Sequence, residues 1–375
     1  MRTFSVLGSA LVVMMLAGCA PPDRYELDRA GATGDEDVEL FILRDTEAGI
    51  EAAIAPARGG ELSGLRVRFA EEWLETLYLA RDYSPRKGWT GEAPLLWPAT
   101  GRNFPPDLEE RRKAGEVFDE GAWEWNGQRY PMPIHGFVRD LAWELESAEA
   151  AVDAPRARVT LEDTAETRRM YPFGFRITAE YTLAQGALEI RYDVTADADN
   201  EGAMPFSIGN HITFVTPLVP GGDAGKVVLV TPSSEELLKT DYGVPTGETR
   251  PRSHADGIEL AALERLRAFS LTGYSGEPFV ELRDPAGLTI RMSHRASEVP
   301  NAPVILFNLW GGAAGGFFSP EPWVGLQNSL LLCMGVARTE LGGSIEAHHR
   351  RLADQWHSRS PLGFAVHGAG AQRPR

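Results

Sequence analysis

Cysteine is scarce: 375 residues contain two, Cys19 and Cys333. If Cys19 is spent on another purpose, a single thiol cannot close an internal disulfide, and the fold must be held by packing. Cys333 lies in the apolar run "LLLCMGV" and reads as an inert core residue. Cofactor motifs are missing too. There is no GxGxxG after a strand, no phosphate-binding P-loop, no CxxC and no HExxH, so nucleotide, iron–sulfur and zincin chemistry lack their minimum parts. No cofactor or metal is expected. Positive charge is in short supply, with 37 Lys and Arg against 53 Asp and Glu and a formal net charge of −16. That balance disfavours nucleic acid and anionic surfaces as partners. Heptads, fixed-period repeats and low-complexity tracts are absent as well.

The longest apolar stretch near the start, "VLGSALVVMML" (Val6–Leu16), follows Arg2 and is too short to span a bilayer. It reads as a secretory signal. "LAGC" (Leu16–Cys19) resembles a bacterial lipobox, which implies cleavage before Cys19 and acylation of its thiol and new amino group. An ordinary cleaved signal with an incidental cysteine is the plainer alternative. Ala20, in place of Asp, points to the outer membrane under the rule of enteric-type bacteria. The expected organisation is a signal peptide over 1–18, a lipidated Cys19 and flexible tether over 19–37, one domain over 38–358 and a flexible tail over 359–375. The expected location is the cell envelope, lipid-anchored on its periplasmic face.

Strand patterns dominate the domain. "GLRVRFA", "RARVTLED", "FRITAEYTL", "ALEIRYDVTAD", "KVVLVTP" and "LTIRMSH" alternate apolar and polar residues, and several close on Gly, Pro or Asp. Two short stretches, "EELLKT" and "LAALERLRA", read as helical. Many short strands with little helix predict an all-β protein, a large antiparallel β-sandwich or barrel.

Four segments mix polar or titratable residues with apolar, turn-rich surroundings. "LLWPATGRNF" presents Arg102 and Asn103, "YPMPIHGFVRDLAWEL" presents His135, "SIGNHITFVTP" presents His211, and "FFSPEPWVGLQNS" presents Glu321. Each has a bland reading: a surface ion pair for Arg102, a turn cap for His135, a core imidazole for His211, a solvated loop carboxylate for Glu321. Trp97, Trp310 and Trp323 lie in or near these segments and suit either sugar stacking or core packing.

Taken in order, with "ARGGELSGLRV" (Ala57–Val67) before them, the segments resemble the aldose 1-epimerase (galactose mutarotase-like) superfamily over about residues 57 to 330. The resemblance implies a mutarotase-like supersandwich with few short helices. It also implies a monosaccharide substrate and interconversion of the α and β anomers of a free aldohexose. Glu321 would be the general base on the anomeric hydroxyl and His211 the general acid on the ring oxygen. His135, Arg102 and, more loosely, Asn103 would bind the sugar. The chain departs from the family at Ile212 and Thr213, where a proline or tyrosine is common. It has no secure counterpart of the family's sugar-binding aspartate, Asp241 being near in order only.

The reaction needs one base and one acid, with Glu321 expected ionised and His211 protonated at rest. Two other readings stand beside it: a non-catalytic carbohydrate-binding lipoprotein, and a glycoside-cleaving enzyme on a related sandwich. The latter needs paired carboxylates, and Asp140 and Glu144 read as ordinary strand-exterior charges.

Overall fold

Strand alternation in the sequence becomes alternation of burial in the structure, a computed structural model. It describes residues 24–32, 35–79, 91–105, 107–115, 121–263, 268–296, 305–328, 330, 337–339 and 362–368. In Phe175–Ala184, for example, Ile177, Ala179, Tyr181 and Leu183 are wholly buried while Glu180 and Thr182 face outward. Each fully buried large apolar side chain contributes roughly 1.5–3 kcal/mol through loss of hydrated surface.

Among the described residues three large antiparallel sheets and two two-stranded ones result. Tyr25–Ala32, Asp35–Asp45, Ile50–Ala55, Glu61–Phe69 and Glu72–Glu75 form an N-terminal meander. Nine strands form the largest sheet, in the order His254–Glu259, Val228–Thr231, Phe279–Arg283, Leu288–Ser293, Leu362–Gly368, Ala187–Ala196, Phe175–Ala184, Pro155–Glu162, Glu144–Ala150. The third sheet carries the site. It runs Pro245–Pro251, Glu235–Lys239, Phe269–Thr272, Ile305–Gly312, Phe317–Val324, Ile208–Asn210, Leu95–Leu96, with Phe214–Val215 paired to the same Phe317–Val324 strand. One apolar cluster, from Leu43 through Trp97 and Tyr181 to Phe318, joins the layers. The meander is tied on by polar contacts as well: Tyr181 donates to the Gly60 carbonyl at 2.7 Å, and the Trp143 N–H to the Pro56 carbonyl at 2.9 Å.

Four expectations are corrected. "EELLKT" is a strand, Glu235–Lys239, because partners on both sides offer more hydrogen bonds than a six-residue helix can make. "LAALERLRA" begins with a 3-10 turn, Leu260–Ala262, and its residues 264–267 lie outside the described residues. The tether expected over 19–37 is strand at Tyr25–Ala32, paired with Asp35–Asp45. The tail expected over 359–375 contains Leu362–Gly368, which fills the gap between Leu288–Ser293 and Ala187–Ala196 by pairing with both. The short α-helix Leu108–Lys113, unforeseen, is the one α-helix among the described residues. Residues 1–23, with the signal and Cys19, and Cys333 lie outside the described residues.

Candidate active site

Register assembles the site. Asn308 lies directly opposite Glu321 across the ladder, and Ser270 directly opposite Asn308, so the three side chains share one face. On the other flank Gly209 pairs with Trp323; continuing that antiparallel register by two residues sets His211 opposite Glu321. The chain leaves the ladder at Asn210, whose amide turns to the Ala93 carbonyl and the Tyr192 hydroxyl. The result is an imidazole and a carboxylate in contact: His211 Nε2 stands 3.6 Å from Glu321 Oε1, both groups buried.

Two N–H donors hold the carboxylate. Asn308 Nδ2 donates to Oε1 at 3.1 Å, and Trp323 Nε1, two residues along the same strand face, donates to Oε2 at 3.1 Å. His211 is fixed from the backbone. Its N–H reaches the Pro94 carbonyl, and the Thr213 hydroxyl donates to the His211 carbonyl at 3.1 Å. Thr213 also bonds Ser319 at 2.9 Å, which ties the histidine's segment to the strand of Glu321. Thr213 thus has a structural task here, while Ile212 is wholly buried.

His135 enters from a turn in which it and Gly136 have φ of 68° and 73°. Gly136 is required there, since a Cβ would sit 1.9 Å from the Trp97 carbonyl oxygen. A two-way clamp sets the ring: the His135 N–H donates to the Gly101 carbonyl at 2.9 Å, and the Gly101 N–H donates to His135 Nδ1 at 3.0 Å. With Nδ1 accepting, the proton of the neutral imidazole must be on Nε2. The rings of His135 and His211 meet edge to face at 5.3 Å, and His135 lies 6.0 Å from Trp323.

Burial governs the charges. It pushes Glu321 up to about 8, against the pull of its two hydrogen bonds and Lys239. It pushes His211 down to about 3, and it holds His135 well below the usual imidazole range, helped by repulsion from His211 and Arg139. Burial therefore works against the expected ionised glutamate and protonated histidine, because desolvation favours two neutral groups with the proton on the carboxyl.

The three groups bring one ligand atom each within 4.8 Å of one another, close enough to raise the question of a cation. The donor set answers it poorly: His135 Nδ1 is already an acceptor and its Nε2 carries a proton, so the ring offers a hydrogen-bond donor, not a lone pair. Of the other expected residues, Arg102 follows Gly101 and is half-buried. Asn103 is buried, and both its amide oxygen and nitrogen lack a hydrogen-bond partner among the described residues. Trp97 is a core residue packed on Phe137, Tyr171, Phe175 and Phe206. Trp310 lies 5.7 Å from the His211 ring. Asp140 is a surface partner of Arg139, and Glu144 is exposed.

Sequence patterns missed Asn308 and Lys239. Lys239 donates to Asn308 Oδ1 at 3.0 Å and lines a cavity of about 540 Å³ together with Asp241, Tyr242, Gly243 and Gln327. Neither residue stands in a motif, and Lys239 fell in the stretch read as a helix.

Comparison with known proteins agrees with this geometry. Residues 119–265 match the model of the family described as aldose 1-epimerase. The chain is 28% identical over 288 residues to protein LacX (chromosomal) of Lactococcus lactis subsp. lactis, covering 72% of this chain and 84% of that one. These matches liken the chain to the aldose 1-epimerase (galactose mutarotase-like) superfamily. A galactose mutarotase-like protein from Clostridium acetobutylicum superposes with a TM-score of 0.68 at 15% identity, covering 92% of this chain and 99% of that one. A galactose mutarotase related enzyme from Lactobacillus acidophilus does so with a TM-score of 0.64 at 17% identity, covering 92% and 98%. At those identities the two structures speak for the superfamily fold alone.

Proposed function

We propose that this protein is a mutarotase, an isomerase that interconverts the α and β anomers of a free aldohexose at the His135–His211–Glu321 cluster. The observation that carries the reading is the 3.6 Å separation of His211 Nε2 and Glu321 Oε1 in a buried, donor-lined setting. The two sugar oxygens that exchange protons are bonded to one carbon, so a base and an acid must stand that close together. Glu321 takes the proton of the anomeric hydroxyl while the C1–O5 bond breaks and C1 becomes a carbonyl. His211, protonated in the working complex, gives its proton to O5. Rotation about C1–C2 turns the other carbonyl face to O5, and the same two transfers run backwards. Proton count is conserved throughout, because the pair holds one proton before and after.

His135 contributes its Nε2–H as a donor to a sugar oxygen. Asn103 has a buried donor and acceptor that a ligand hydroxyl would satisfy, which offsets the penalty for leaving them unpaired. Arg102, one residue away, is assigned to the same binding edge. For the location, the Leu16–Cys19 lipobox supports an envelope lipoprotein anchored through Cys19.

Polarimetry and saturation-transfer NMR on glucose, galactose and other common aldoses test the function. Glu321→Gln is expected to lower the rate of anomer exchange by at least about a hundredfold, and His211→Asn by a similar factor, as befits lost general base and acid groups. Exchange at the parental rate in Glu321→Gln removes the carboxylate from the chemistry. Sugar binding without exchange by the parent protein would make the chain a carbohydrate-binding protein instead.

A further inference from the structure

Burial favours the proton on the wrong partner for the first step of the proposed reaction, so something must favour the carboxylate. Both donors that hold Glu321 touch one residue. Asn308 Oδ1 accepts from Lys239 Nζ at 3.0 Å and from the Ser270 hydroxyl at 3.0 Å. With two donors on its oxygen, the Asn308 amide can turn only its N–H₂ end to Glu321. The second donor, Trp323, carries Lys239 Nζ at 5.9 Å from its ring centroid.

We propose that Lys239 is a positioning residue that biases Glu321 toward its carboxylate form, acting through the Asn308 amide and beside the Trp323 indole. The inference rests on Glu321 being the base of the proposed reaction. Each carboxylate oxygen faces an N–H, an arrangement that favours the ionised group over the protonated one. Lys239 is the cation whose charge acts on Glu321, and burial has brought its own pKa down to about 8. The other charges around it are committed elsewhere. Glu236, on the same strand, pairs with Arg250 at 2.8 Å and Arg252 at 2.7 Å, so it competes weakly for the lysine. Asp241 lines the same cavity; on the far side of Glu321 stand His211 and His135, with Arg139 acting on both rings. The low local polarity around these buried groups strengthens the pull of the ammonium on the carboxylate.

The test is the pH dependence of kcat/KM for aldose exchange in the parent, Lys239→Met, Lys239→Arg and Glu321→Gln. An infrared titration of the Glu321 carboxyl, identified by the band lost in Glu321→Gln, accompanies it. Removing the cation is expected to move the acidic limb of the profile, and the infrared midpoint, upward by about 1 unit or more, since a nearby opposite charge lowers a carboxyl by that order. Lys239→Arg, which keeps the charge, restores much of the shift. Lys239→Gln repeats the measurement should methionine disturb the fold. An unchanged limb and midpoint in the neutral variants, with Glu321→Gln inactive, overturn the role of Lys239 and leave the base intact. A shifted midpoint with Glu321→Gln fully active supports the hold of Lys239 on the carboxyl and overturns the base.

Discussion

A histidine inside a β-rich core can be a working group or a filler, and this protein contains both kinds. His211 touches a carboxylate, a second imidazole and the Trp310 ring. His294 is equally buried, yet its Nε2 has no hydrogen-bond partner among the described residues and its ring packs at 4.8 Å on Phe307. Burial pushes His294 down to about 3. The unfolded chain takes up a proton there as pH falls below its ordinary value of about 6.5, and the folded chain does not until about 3. His294 therefore withdraws stability as pH falls across that interval, at about 1.4 kcal/mol per unit. His294→Phe should remove that slope: between pH 6.5 and 5, unfolding free energy from urea titration should fall by about 2 kcal/mol less in the variant than in the parent. Parallel curves would mean that the imidazole is already charged in the fold. Apart from the family-like segment around His211, local pattern does not tell the two histidines apart, because the distinguishing fact is what stands opposite each of them.

At the level of elements, the strands were legible and their register was not. Phe175–Ala184, Ala187–Ala196 and Leu288–Ser293 announce themselves by alternation, since one face of each is buried. The row Ser270–Asn308–Glu321–His211 crosses strands far apart in the chain, and no local pattern encodes such a pairing. Glu235–Lys239 misled because Glu, Leu and Lys favour helix, while its sheet partners decide its conformation. The family-like segments exposed His135, His211 and Glu321 through flanking Gly, Pro and Trp; Asn308 has no such flank. One consequence of the register is testable. Gly209 sits opposite Trp323, and a Cβ there would lie 2.6 Å from the indole Cδ1 and 2.8 Å from the Pro322 carbonyl oxygen. Gly209→Ala should force the indole aside, costing about 1–3 kcal/mol of stability by overpacking. It should also lower anomer exchange in the molecules that remain folded, as Glu321 loses a donor. Urea unfolding and polarimetry on the same sample separate the two effects; an unaltered rate per folded molecule would show that the indole N–H is dispensable.

For the whole molecule, the strand Tyr25–Ala32 changes what the proposed anchor means. Only residues 20–24 separate Cys19 from the first strand, so Cys19 and Tyr25 cannot be more than about 22 Å apart when fully extended. An acylated Cys19 would therefore hold the N-terminal meander close against the bilayer instead of on a long leash. No helix among the described residues is long and apolar enough to cross a membrane, and the net charge of −16 opposes adsorption to anionic lipid. Retention would then depend on the acyl chains, and chains on both the thiol and the amino group suffice for stable anchoring where a single one does not. High salt should leave the protein in the membrane fraction, detergent should release it, and Cys19→Ala should shift it out of that fraction with its anomer exchange per molecule unchanged, because the site residues named above all lie at Arg102 or beyond. Fractionation followed by polarimetry measures both quantities, and a Cys19→Ala protein that stays with the membrane would refute anchoring through this residue.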